Sequence, residues 1–130
     1  MQKDYIMRMI EEFVRGMARI VLARETKQYV DAKMDLEGLS KLVTGFSLEH
    51  LKSLGSEGIV YVFSKDKDSA AEKMYCSARI LKEDGLILES EGKIEESLNS
   101  LSLAKEIFGV TSEHDFPEKD DAMKEFEELR

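Results

Sequence analysis

Residues 78–109 constrain the fold of this chain more than any other stretch. Small residues recur there where two antiparallel helices would have to touch: Gly85, Ser97 twelve positions later, and Ala104 seven after that. The turn signal Glu91-Gly92-Lys93 lies between the two halves, and glycine supplies the positive φ that a tight turn needs. Before the turn, Ala71, Met74, Ala78, Leu81, Gly85 and Leu88 alternate steps of three and four; after it, Ile94, Ser97, Leu101, Ala104 and Phe108 do the same. That period is helical. A glycine inside a helix costs about 1 kcal/mol relative to alanine, so Gly85 is expected where a second helix comes close. The spacing predicts helices over 68–90 and 93–108, paired as a hairpin within 68–109.

The remaining chain also reads as helices. Over 3–24, Ile6, Met9, Ile10, Phe13, Met17, Ile20 and Val21 form an apolar arc opposite Asp4, Arg8, Glu11, Arg15 and Arg19. Met7, Val14 and Leu22 widen that arc, as contact with several helices or with a second copy of the chain would require. Over 26–43, Tyr29, Ala32, Leu36, Leu39 and Val43 make a second stripe, with Gly45 as its stop, so 3–43 is expected to be an N-terminal hairpin. Residues 46–66 hold two short helices, one capped by Ser47 and ended by Gly55, the next opened by Ser56-Glu57. Ile59–Phe63 alone would read as a strand; a strand without a partner is a poor element, and a short buried helix is preferred. Residues 117–130 form an acidic helix after Pro117, with Ala122, Met123, Phe126 and Leu129 on one side, either docked on the hairpin as a cap or frayed.

Composition limits the function classes. The 130 residues suffice for one domain. With 19 basic against 27 acidic residues the net charge is −8, which argues against a nucleic-acid backbone as partner. Residues 113–130 carry eight acids and three bases, 3 − 8 = −5; this end reads as a solvated helix face, with docking on a basic partner as the alternative. Cys76 is the one cysteine, so no internal disulfide forms and a reducing cytoplasm fits. No apolar run reaches the ~18 residues of a membrane span, and Asp4, Glu11 and Glu12 do not suit a secretory signal. The expectation is a cytoplasmic protein.

No reaction is legible. Dinucleotide-binding and phosphate-loop glycine motifs are absent. His50 and His114 belong to no metal-binding motif, and Glu113-His114-Asp115 on a loop makes a poor cage. Cys76 lies near the buried stripe and reads as a small core residue. Carboxylate neighbours such as Glu95-Glu96 are expected by chance among 27 acids. No catalytic, cofactor-binding or metal-binding residue is assigned, and the chain is not expected to be an enzyme.

With these elements placed, 78–109 resembles a tetratricopeptide repeat, a unit used mainly to hold other proteins. Leu81 and Leu88 stand where that family prefers aromatic residues, and no proline closes the repeat at Gly109. The second helices match at a constant offset: Tyr29 with Ile94, Ala32 with Ser97, Leu36 with Leu101, Leu39 with Ala104, Val43 with Phe108. Ile20 falls where Gly85 is, so 13–43 is either a degenerate copy or another amphipathic hairpin. The opening Asp4-Tyr5-Ile6-Met7-Arg8-Met9-Ile10 is similar to a group of small uncharacterised bacterial proteins. The repeat resemblance implies an all-α fold of antiparallel hairpins and a role as a protein-binding scaffold. It places Arg79, Lys82, Leu86 and Glu89 on the concave, partner-binding surface. The alternatives are a homodimer through residues 3–24 and a weak membrane-surface association through the same helix. In that helix five bases against three acids, 5 − 3 = +2, give little attraction to anionic lipid.

Overall fold

The structure, a computed structural model, describes residues 2–129; Arg130, the last residue of the expected acidic helix, lies outside them. Among the described residues the chain forms six helices and no strand: α1 (Gln2–Glu25), α2 (Tyr29–Thr44), α3 (Leu48–Ser64), α4 (Ala70–Ser90), α5 (Ile94–Thr111) and α6 (Lys119–Glu128). α1 pairs with α2 and α4 with α5, each through a short turn. α4 is the centre of the bundle, packed against α1, α2, α3 and α5, while α6 lies on α5.

The α4–α5 turn forms as the sequence predicts, with Gly92 at φ 81°. Gly85 is the point of close approach: a β-carbon there would sit 2.6 Å from Leu101 Cγ and 3.2 Å from the Ser97 carbonyl oxygen. The Ser97 hydroxyl donates to the Gly85 carbonyl at 2.7 Å, so the small residue also ties the two helices. Ala104 and Phe108 are fully buried. Ile94, expected in this stripe, is 54% exposed, because it is the first residue of α5. Ile107 and Ser100 are buried instead.

The α1–α2 hairpin differs in register. Its close approach lies at Gly16, whose added β-carbon would meet Leu39 Cδ1 at 2.9 Å. Gly16 and Leu39 are not the positions that the sequence offset pairs with Gly85 and Leu101, so the packing of one hairpin does not repeat the other. Met9, Phe13, Met17 and Ile20 enter the core. Met7, Val14 and Leu22 do not: they are 59%, 58% and 61% exposed. Met7 stands at a groove that α1 shares with Glu72 and Glu118, and among the described residues no neighbouring helix covers Val14 or Leu22.

Residues 59–63 are helical, with Ile59 and Phe63 buried one turn apart and Tyr61 exposed. The Ser47 hydroxyl accepts from the His50 amide at 3.1 Å, a capping bond. Gly55 breaks α3 into its two expected halves, with φ 70° and ψ 175°, a conformation open only to glycine at low cost. The Glu37 carboxylate accepts the Leu48 amide at 3.1 Å, so α2 helps cap the first half.

Candidate interaction surface on the fourth helix

α4 is apolar on more sides than its sequence stripe shows. Besides the expected Met74, Ala78 and Leu81, it buries Tyr75, Cys76, Ile80 and Ile87. It also buries Glu83 and Asp84. These acids are paired as burial requires. Glu83 meets Arg24 at the end of α1. Asp84 meets Lys52 of α3 at 2.7 Å and accepts from the Ser100 hydroxyl of α5 at 2.7 Å. At the end of α4, Glu91 meets Lys33 of α2 at 2.6 Å. α4 is therefore a rigid backing, fixed by apolar contacts and by ion pairs to three other helices.

Arg79, Lys82, Leu86 and Glu89 follow one another on α4 at steps of three, four and three. Leu86 is half-buried and Glu89 exposed. Arg79 and Lys82 are brought together against α6. Lys82 Nζ donates to both oxygens of Glu125, at 2.7 and 2.8 Å. Arg79 lies 3.9 Å from Glu125 and 3.9 Å from Asp121, and donates to the Tyr75 hydroxyl at 3.1 Å. Tyr75 in turn donates to Asp121. Burial first, and the Asp121 carboxylate second, push the Tyr75 phenol well above its ordinary range; it stays protonated as the donor of that bond.

The C-terminal segment thus docks as a cap, one of the two arrangements left open by its sequence. Ala122 is fully buried, and the Phe126 ring sits over Gly109, where an added β-carbon would meet Cε1 at 2.7 Å. Lys105 of α5 donates to the Leu129 carbonyl at 2.6 Å and lies 5.2 Å from the Phe126 ring centre. Sequence reasoning did not find Tyr75, Lys105 and Gly109 as parts of this surface. Lys105 follows Ala104 directly, and Tyr75 follows Met74. Lys105 lies on α5, outside the charged stripe; Tyr75 stands four residues before Arg79 and continues the stripe's spacing, a signal that could have found it.

Near the start of α6, an open groove of about 550 Å³ lies between α1 and α4, lined by Ile6, Ile10, Glu11, Glu72 and Glu118 among others. Burial, and then the nearby Glu72, raise the Glu118 carboxyl above its usual range. One Glu118 oxygen is buried with no hydrogen-bond partner. A raised folded pKa means ionised Glu118 opposes folding at neutral pH, and this opposition vanishes once both states are protonated. Glu118→Gln is therefore expected to melt above wild type at pH 7.5 and together with it near pH 3.5. Equal melting at both values would show that the carboxylate is not under strain.

The remaining sequence candidates fall elsewhere. Cys76 is fully buried, and burial pushes its thiol well above the ordinary range, the opposite of an activated nucleophile. The His50 ring stacks on Phe46 at 5.0 Å. His114 Nδ1 lies 3.1 Å from the Val110 carbonyl. Among the described residues no group of three or more histidine, cysteine or acidic side chains is placed to hold a metal ion, and no helix is long and apolar enough to cross a membrane.

No curated protein and no solved structure matches the chain. A family model described as a family of unknown function (DUF6483) matches residues 1–116. The chain belongs to that family.

Proposed function

We propose that this member of a family of unknown function is a small helical scaffold that binds a protein or peptide and carries out no catalysis. The observation that carries the reading is the stripe on α4. Arg79 and Lys82 stand on the most deeply packed helix of the fold, and together they already hold the carboxylates of an amphipathic helix. The α4–α5 hairpin, closed at Gly85 and Ser97, supports the likeness to a tetratricopeptide unit, in which the first helix faces the ligand. Leu86 and Glu89 extend the stripe beyond the basic pair and would complete the contact. A buried, unreactive Cys76 is in keeping with a reducing cytoplasm.

The test is affinity capture of the tagged chain from its native lysate at moderate salt, read by mass spectrometry. A protein recovered with the wild type and lost with Arg79→Glu/Lys82→Glu is the expected result. Recovery undiminished by the charge reversal would refute this placement.

A second reading rests on a separate observation. Met7 and Val14, two turns apart on one face of α1, are open to solvent, and a second copy covering them would make a homodimer through residues 3–24. Light scattering at high concentration would then give twice the chain mass, reduced to one by Met7→Asp/Val14→Asp. A monomer at every concentration removes this reading.

A further inference from the structure

We propose that α6 is a displaceable occupant of the α4–α5 surface, and that the partner taken there is an acidic amphipathic helix on another protein. That helix would present the side chains of α6 at the same spacing. The inference rests on the binding role assigned above to Arg79 and Lys82.

Three features of α6 set it apart from the bundle. First, it is held at its edge. Of its ten residues only Ala122 and Glu125 are buried, while Met123 and Phe126 are 42% and 39% exposed. Second, it has little stability of its own. A ten-residue helix is marginal in water, α6 has no side-chain cap at its start, and its last turn has no basic residue. Third, the family match ends at Phe116. The surface therefore lies within the matched region, and the segment that occupies it lies outside.

The contacts define what the surface reads. Asp121 meets Tyr75 and Arg79, Ala122 fits against the core, Glu125 takes the Lys82 ammonium, and Phe126 seats on Gly109. In helical order this is Asp-Ala-x-x-Glu-Phe. Two carboxylates one turn apart meet the basic pair, alanine allows close approach, and an aromatic ring fills the notch left by glycine. α6 carries five acids and two bases, 2 − 5 = −3, against Arg79, Lys82 and Lys105, so charge complementarity favours an acidic helix. A tethered helix acts at an effective concentration of order mM for a short flexible link. An untethered helix therefore succeeds only by binding better or by meeting a loosened α6.

The test titrates a fluorescein-labelled peptide of the sequence 117–129 into the full chain, read by anisotropy. The full chain carrying Glu125→Gln/Phe126→Ala in its own α6 should bind the peptide at least tenfold more tightly than wild type. Adding Lys82→Glu to that variant should abolish binding, as should Phe126→Ala in the peptide. A variant that is helical by circular dichroism yet binds no better than wild type overturns the proposal. So does a wild-type dimer in light scattering that the peptide dissociates, which would assign the surface to α6 of a second copy. If the variant fails to fold, native-state hydrogen exchange of the wild type decides. Amides of α6 exchanging at least a hundredfold faster than those of α4 support displacement; equal protection overturns it. Capture lost on charge reversal but no peptide binding would leave the scaffold role standing and remove only this partner chemistry.

Discussion

Gly85→Val is expected to destabilise the fold by about 3 kcal/mol, a fall in melting temperature of about 10 °C for a domain of this size. On helix propensity alone the sign would be reversed, since glycine is among the poorest helix residues. Packing decides the outcome. The new β-carbon would stand 2.6 Å from Leu101 Cγ and 3.2 Å from a backbone oxygen of α5. Leu101 can turn away only in part, and the Ser97 carbonyl cannot move without α5. Separating the helices also lengthens the bond from Ser97 to the Gly85 carbonyl, 2.7 Å in the native packing. Gly85→Ala should show the same sign at about 1–2 kcal/mol. Adding Leu101→Ala should cost less in the Gly85→Ala background than in wild type, because it removes one side of the clash. Chemical denaturation of the five proteins, wild type included, measures this. A Gly85→Ala chain more stable than wild type would mean the helices do not meet there.

Arg24→Met is expected to cost about 3 kcal/mol, for a reason unrelated to packing. Its partner Glu83 has a side chain only 5% exposed, on the helix at the centre of the bundle. Removing the guanidinium leaves a carboxylate buried without its cation, and that is costly. Replacing both residues by apolar ones of similar length removes the unpaired charge as well. Arg24→Met/Glu83→Met should therefore recover most of the loss. A double variant no better than the single one would show that the pair acts through something other than charge compensation. By contrast the Lys41–Glu37 pair on α2, at 3.5 Å with both side chains more than a third exposed, is expected to contribute little.

The helices were legible because their apolar residues keep a helical period. Ala32, Leu36, Leu39 and Val43 all enter the core as that spacing implies, and Gly45 ends α2 with its amide on the Lys41 carbonyl. The local chemistry of Ser47 and Gly55 was legible for the same reason, since a cap and a breaker act within a few residues. What the pattern could not show is which helix lies at the centre. α4 reads as an ordinary amphipathic helix because Glu83 and Asp84 look like solvent-facing acids; their burial follows from Arg24, Lys52 and Ser100, which lie far away along the chain. The width of the apolar arc on α1 implied cover for Met7, Val14 and Leu22, all of which stay more than half exposed in the folded single chain. Arg79 and Lys82 came into view only through the tetratricopeptide resemblance. Their occupation by Asp121 and Glu125 did not come into view at all, because a match of charges across about forty residues has no periodic signature.

The claim that binding belongs to α4 is tested most directly by one paired capture from native lysate. It compares wild type, Arg79→Glu/Lys82→Glu, and Met7→Asp/Val14→Asp, all at equal concentration and with helicity verified. The expected result is a co-purifying protein lost with the α4 variant and retained with the α1 variant. Retention by the α4 variant with loss from the α1 variant would contradict the claim, and would place the interaction on the exposed apolar side of α1.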